Sequence, residues 1–461
     1  MTKLWQLGAA ELVQGYQAKQ FSPVQVTNAC IERAQSHAEP LNALCQTRYE
    51  LALDEARGAE QRYFAGQPLG PLDGVPCTIK VCIDTEGHIN TQGSQLLINA
   101  PAAKTNAPAA ERLLATGAIM LAKTAMPDFG MAGSGASSLY GNCGNPYQPS
   151  LNTSGSSSGS AVALAVGACA ISLGTDQCGS IRNPAAWTGV VGFKQSYGRV
   201  PHNAAKYGHY VGPMARNVAD ARLVYRNING PHEADPLALP STPSEVPDAR
   251  LKGLKVGLLV NGVGMPTVDP QVEAHVQATA ELLTTAGAQV IDLSALDIWQ
   301  RCMNTWIQYL GFIALPWLQK YKHHNASQIP MSMYQWVKAS APTTALASAN
   351  LMADLYQCRA ELHALSQEYD FILSPTLSHK PFAADLYGPE NLAERNIEHL
   401  WYTGIYNLGG QPAISIPAGF DDQGIPVGIQ LAAPLYQDER LLAVAQIVEG
   451  LLDFDNSTPL A

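Results

Sequence analysis

LGTDQCGSIRNP (173–184) sets one serine, Ser180, among small and polar residues. Three readings are open for such a stretch: a surface linker, a loop that cradles phosphate, or a turn that holds a nucleophile. The surroundings decide between them. Ser160 to Ala170 reads as a helix, ISLGTD (171–176) as a strand, and the Gly-rich turn follows at once. A linker would lead to a new domain, whereas here the chain returns to one layered sheet. The phosphate reading fails because GxxxxGK[ST] is absent and no lysine follows the second glycine of GTDQCGS. In the third reading, Gln177, Cys178 and Gly179 lie in a turn whose small residues let successive N–H groups converge on the carbonyl oxygen of a substrate at Ser180. A plain strand-to-loop connection is the alternative.

Outward from this turn the chain reads as alternating strands and helices. Ser22-Pro23 caps a helix over VQVTNACIERAQSH, and Leu51 to Tyr63 is a second amphipathic stretch. VPCTIKVCI (75–83) is apolar and β-branched enough for a buried strand, and helix 109–116 leads through Gly117 into the strand AIMLAKT. Pro127 to Ser160 is a long Gly/Ser/Asn/Pro loop of the functional kind. The middle, about 225 to 400, shows only LKVGLLV (254–260), a helix from Asp269 to Ala286, AQVIDL (288–293) and a helical stretch over 343–368. The end holds a strand YDFILSPT, a hairpin PAISIPAGF–DDQG–IPVGIQLAAP and a closing helix DERLLAVAQIVEGLL. No tandem repeat or Pro/Ser-rich boundary divides the chain. The reading is an α/β fold: a single large domain, 1–461, with a central mixed sheet covered by helices on both faces.

Composition narrows the function classes. The chain is 461 residues long, 46% hydrophobic and 14% charged, which suits one large body with a low surface-to-volume ratio. The formal charge of −10 carries no basic stripe, which argues against nucleic acid as the main partner. Nine cysteines are scattered without C-x-x-C pairs, as expected of reduced thiols in a cytoplasmic protein. The apolar stretch Ala161 to Leu173 is too short to span a bilayer, so no membrane partner is expected.

Gly155-Ser156-Ser157-Ser158-Gly159 satisfies G-x-S-x-G, but the strand that must precede a nucleophile elbow is replaced by the loop NPYQPSLNTS. His202 and His209 sit in a polar loop, where solvated histidines are the ordinary case. What remains is a pair of serine-bearing turns and one buried lysine. Serine is a poor nucleophile unless a base takes its proton, and lysine can be that base when burial lowers its pKa from about 10.4 towards 7 or 8. Lys80 lies within an apolar segment where this can happen. The alternative is an end-of-strand lysine that snorkels to water.

These segments together resemble the amidase signature family, serine hydrolases with a Ser–cis-Ser–Lys triad. SGSSSGSAVALAVG (154–167) and GTDQCGSIRNPA (174–185) match the family's serine-bearing segments, with twenty-four residues from Ser156 to Ser180. GPLDGVPCTIK, VVGFKQSYGRVP (190–201), GPMARNVADA (212–221), GGQPAISIPAGF and GIPVGIQLAAP match as well. The resemblance is strong over a signature core of about 70–225 and over C-terminal strands and a helix at about 405–452. It implies that Ser180 is the nucleophile, that Ser156, on a cis peptide bond, relays the proton, and that neutral Lys80 is the base. It also implies an oxyanion hole from the backbone amides of Gln177, Cys178, Gly179 and Ser180. No metal and no organic cofactor are implied. Three positions depart from the family pattern: Val81 where Asp is common, Ser154-Gly155 for Gly-Gly, and Cys178 for a glycine. Asp176 and Arg182, flanking the turn, read as a structural ion pair.

The expected activity is hydrolysis of a small-molecule amide, with a homodimer as the one protein partner considered. The runner-up is the amidase subunit of a tRNA-dependent amidotransferase. It is placed second because HNAAKYGHYVGPMAR, after YGRVP, does not resemble that subunit's continuation. A third class is a non-catalytic binding protein on the same fold. The acyl pocket is expected from 127–142, 200–212 and 300–340. Tyr140, Trp306, Tyr309 and Trp317 either line it or belong to the core.

Overall fold

The apolar, β-branched runs on either side of the Ser180 turn form the middle of one mixed sheet. The computed structural model describes residues 3–203, 207–240, 249–321, 331–390 and 397–455. The strands are β1 (Leu44–Thr47), β2 (Pro76–Lys80), β3 (Ile119–Thr124), β4 (Ala136–Ser137), β5 (Gly141–Asn142), β6 (Ile171–Asp176), β7 (Val191–Lys194), β8 (Tyr210–Ala215), β9 (Lys255–Leu258), β10 (Gln289–Asp292), β11 (Phe371–Pro375), β12 (Ala413–Phe420) and β13 (Pro426–Ala432). Eleven of them make a sheet in the order β1-β3-β2-β6-β8-β7-β12-β13-β11-β9-β10, and β4 and β5 form a separate ribbon. β2 runs parallel to both β3 and β6, whereas β8, β7, β12 and β13 pair antiparallel. Every residue of β2, β3, β6, β7, β8, β11 and β13 is buried. Since neighbours along a strand point to opposite faces, that burial requires cover on both sides of the sheet.

The cover is helical: α1 (Ala9–Gln17), α2 (Pro23–Arg33), α3 (Tyr49–Ala65), α4 (Pro108–Ala115), α5 (Ser158–Ala165), α6 (Arg182–Thr188), α7 (Val218–Ile228), α8 (Pro270–Thr285), α9 (Ile298–Tyr321), α10 (Met331–Ser340), α11 (Ala345–Ser366), α12 (Trp401–Gly409) and α13 (Asp438–Leu452). The Ser22 hydroxyl accepts from the Gln25 amide at the start of α2, the capping expected from Ser22-Pro23. Two boundaries differ from the sequence reading. The helix expected over Ser160 to Ala170 is α5, which begins at Ser158 and stops before Gly167, whose φ of +79° is a left-handed terminus. The strand expected over 75–83 stops at Lys80, so this lysine ends β2 rather than lying within it. Among the described residues no helix is long and apolar enough to cross a membrane.

Candidate active site

Sheet order brings the three chemistry-bearing segments together. β2 and β6 are parallel neighbours, with Thr78 opposite Ser172 and Ile79 opposite Leu173. Lys80, at the carboxyl end of β2, therefore stands beside the turn that leaves the carboxyl end of β6, the usual location of sites in parallel sheets. The third segment is the turn into α5. Its Gly155–Ser156 peptide bond is cis. A Cβ at Gly155 would lie 2.1 Å from the Ser134 carbonyl oxygen, so no larger residue fits there. The Ser157 amide donates to the Ser180 carbonyl oxygen at 3.0 Å, joining the two serine turns.

Lys80 is fully buried. Its Nζ reaches Ser156 Oγ at 2.7 Å, Thr175 Oγ1 at 2.8 Å and Ser157 Oγ at 3.0 Å. Burial lowers its pKa to about 8, against smaller upward contributions from Cys82 and Asp176. A neutral amine has two N–H donors and one lone pair, and hydroxyls can both accept and donate. The three hydroxyls can therefore satisfy Lys80 whether or not it carries the extra proton. Ser157 and Thr175 escaped the sequence reading. The signal for them was thin: a hydroxyl next to Ser156, and one beside Asp176 at the end of a strand.

The expectation of a single buried lysine is corrected. Lys123 and Lys194 are buried as deeply. Lys123 Nζ donates to the Ile83 carbonyl oxygen at 2.5 Å and to Thr85 Oγ1 at 2.9 Å, while Lys194 Nζ donates to the carbonyl oxygens of Gln411 at 2.5 Å and Gln195 at 3.1 Å. Each tethers a loop through a backbone carbonyl.

Ser156 and Ser180 are nearly closed off, at 3% and 8% exposure. Asp176 and Arg182 form the buried ion pair expected of them, with Nη2–Oδ1 at 2.9 Å. Burial would raise the Asp176 carboxyl, but the Arg182 guanidinium holds it well below the usual carboxylate range. Arg182 also donates to Asn407 Oδ1, Gln430 Oε1 and the Thr403 carbonyl oxygen, which ties the turn to α12 and β13. Asp176 accepts from the amides of Gly179 at 2.8 Å and Ile181 at 3.2 Å. The Gly179 N–H, one of the four amides expected to form an oxyanion hole, is thus engaged by a carboxylate within the turn.

The other candidates fall elsewhere. His202 and His209 pack edge to face with ring centroids 4.8 Å apart, and the His202 amide donates to Asp235. The partner found for the Ser156 hydroxyl is an amine, not an imidazole. Burial pushes the Cys178 thiol up to about 12, so it is a poor thiolate. Tyr140 hydrogen-bonds Thr91 Oγ1 at 2.7 Å. Trp306 is buried and stacked on Tyr309, with its indole N–H on the Gln177 carbonyl oxygen. Trp317 meets the Phe129 ring at 4.8 Å. Phe129 adjoins Gly130, where a Cβ would lie 3.2 Å from Ser156 Oγ. Parts of the expected pocket segments, 204–206 and 322–330, lie outside the described residues. Among the described residues no group of three or more His, Cys, Asp or Glu side chains is placed to hold a metal ion.

Comparison with known proteins agrees with this architecture. The family model named Amidase matches residues 25–442. A glutamyl-tRNA(Gln) amidotransferase subunit of Synechococcus sp. (strain RCC307) is 33% identical over 94% of this chain and 94% of its own length. The subunit of the same name from Deinococcus radiodurans is 33% identical over 96% of this chain and 97% of its own. Among solved structures, a bacterial aryl acylamidase superposes with a TM-score of 0.88 at 26% identity, covering 98% of each chain. The fold of 6-aminohexanoate cyclic dimer hydrolase is shared too, with a TM-score of 0.86 at 23% identity over 99% of each chain. A family model spanning most of the sequence, relatives aligned nearly end to end, and an aryl acylamidase of the same architecture lead to one conclusion: the chain belongs to the amidase signature family.

Proposed function

We propose that this chain opens an amide C–N bond through an acyl-enzyme on Ser180. The observation that carries the reading is the buried Lys80 amine, 2.7 Å from Ser156 Oγ, with its pKa lowered to about 8. Ser180 Oγ forms the bond to the acyl carbon and gives its proton to Ser156 Oγ, whose own proton passes to the neutral Lys80 amine. The carbonyl oxygen takes up the negative charge and is held by backbone amides of the turn. The proton returns from Lys80 through Ser156 to the departing nitrogen, and the C–N bond breaks. Water then enters by the same relay and releases the acid.

Two assignments share this chemistry. One is a free-standing hydrolase of small-molecule amides. The other is the amidase subunit of a tRNA-dependent amidotransferase, and the curated relatives favour it over the order that HNAAKYGHYVGPMAR suggested. The purified chain separates them. It is assayed on aliphatic amides, aryl amides, anilides and glutamine, alone and with the remaining amidotransferase subunits and tRNA. A hydrolase turns over at least one amide class alone, and added subunits change nothing. An amidotransferase subunit releases ammonia from glutamine faster when its partners are present. Absence of amide cleavage under every condition rejects both.

A further inference from the structure

Helix α9 passes behind the nucleophile turn, and Trp306 is its point of contact. The indole is fully buried, and its Nε1–H donates to the Gln177 carbonyl oxygen at 3.2 Å. The ring has no freedom to swing. It stacks on Tyr309 with centroids 5.1 Å apart, and a Cβ at Gly208 would come within 2.2 Å of its Cη2. The neighbouring carbonyls are gripped as well. Cys178 O accepts from Asn183 Nδ2 at 3.0 Å and Thr403 Oγ1 at 3.2 Å, and Gly179 O accepts from the Asn183 amide at 2.7 Å.

These grips have a directional consequence. In a planar trans peptide the C=O of one residue and the N–H of the next point in opposite directions. A carbonyl held from behind therefore aims the following amide forward. The Asn183 amide on Gly179 O aims the Ser180 N–H in this way. The grip on Cys178 O aims the Gly179 N–H, which goes to Asp176. The grip on Gln177 O aims the Cys178 N–H, and Trp306 supplies it from a helix more than a hundred residues away. The thiol at 178 lies beside the same Trp306 indole, which also hydrogen-bonds it, and against Gly404, where a Cβ would sit 2.8 Å from Sγ.

We propose that Trp306 is a positioning residue of the oxyanion hole: by holding the Gln177 carbonyl it turns the Cys178 N–H away from α9 and towards the oxygen that becomes negative. The inference rests on the reading of Ser180 as nucleophile. It also explains how cysteine is tolerated where the family commonly has glycine. Residue 178 serves through its amide, and its side chain is stored between α9 and α12.

The test needs no knowledge of the natural amide. A fluorophosphonate probe phosphonylates an activated serine, with its P=O oxygen seated where an oxyanion would be. The rate of labelling at Ser180 is measured for the wild type, for Trp306→Phe, and for a protein whose Trp306 indole is replaced by benzothiophene. The last keeps the shape and loses only the N–H, which guards against a Phe variant that fails to fold. Both altered proteins are expected to label about tenfold more slowly or worse, short of the 10²–10³ that follows complete loss of an oxyanion donor. The pH at which labelling half-develops reports the base and is expected to stay where it is in the wild type. A folded benzothiophene protein that labels as fast as wild type overturns the role of Trp306. So does a loss of rate accompanied by a shifted pH midpoint, because the damage then lies at Lys80. Failure of the underlying reading looks different: the wild type itself is not labelled at Ser180, or Ser180→Ala labels equally well.

Discussion

β2 and β7 both end in a lysine that the fold buries completely, yet Lys80 and Lys194 meet different partners. Burial lowers the pKa of both amines. Their partners diverge. Lys194 faces two carbonyl oxygens, which only accept, and lies 3.9 Å from the centre of the Tyr210 ring, a surface that favours a cation. Every one of these contacts asks for a donor. Lys80 faces three hydroxyls: that of Ser157 donates to the Thr175 carbonyl oxygen, while those of Ser156 and Thr175 can return a proton to the amine. Depth and a lowered pKa therefore do not separate a base from a structural clamp. On the proposed reading, the hydrogen-bonding character of the neighbours does.

That contrast can be broken by substitution. Lys80→Ala removes the proposed base and is expected to cost about 10²–10⁴ in kcat, with KM little changed because in that role the amine acts on a proton and not on the bound acyl group. Ser156→Ala removes only the relay. Its loss is expected to be smaller, since water can occupy the space and carry part of the transfer. Steady-state kinetics on one amide, with circular dichroism to confirm folding, checks the order. A Lys80→Ala enzyme as active as Ser156→Ala would end the distinction drawn between the two lysines.

The pH profile sharpens it. In the proposed mechanism Lys80 acts as the neutral amine, and the neutral fraction falls as pH drops below a pKa of about 8. kcat/KM is expected to decline about tenfold per pH unit well below that value and to level off above it. A profile flat from pH 6 to 9 would mean that no group of this pKa takes the proton.

Lys194→Met should give the smallest effect on catalysis. It leaves two carbonyl oxygens without a donor, so stability is expected to fall by about 1–3 kcal/mol in a denaturant titration. kcat of the folded protein should stay within about threefold, because the reaction takes no proton from this amine. A loss comparable to that of Lys80→Ala would put both lysines in the relay.

Much of this was legible in the linear chain, and the limits are physical. LGTDQCGSIRNP declared a strand, a turn of small residues and a hydroxyl, since strand propensity and turn chemistry are local properties. VPCTIK left a desolvated amine and a snorkelling end-of-strand lysine both open, and the fold buries Lys80 completely. The Asp176–Arg182 pair was readable because only six residues separate its members. Partners were not readable. Lys123 and Lys194 could not be told from Lys80, since the carbonyls of Ile83 and Gln411 come from loops that the sheet brings back. Nor could the Gly179 amide be seen to be taken, because an Asp176 carboxylate turned inward looks the same in sequence as one turned to solvent.

The sequence by itself therefore determined which chemical groups exist, their local spacing, and the runs that must be strands or helices. The tertiary structure alone decided which of those groups meet. Lys80 reaches Thr175 because β2 and β6 are adjacent across a separation of 95 residues. Arg182 is fixed by Asn407 and Gln430, and the Gln177 carbonyl by Trp306, across separations of 129 to 248 residues. A buried polar group must find its partner in whatever segment packs beside it. That choice belongs to the packing of layers and not to the order of residues along the chain.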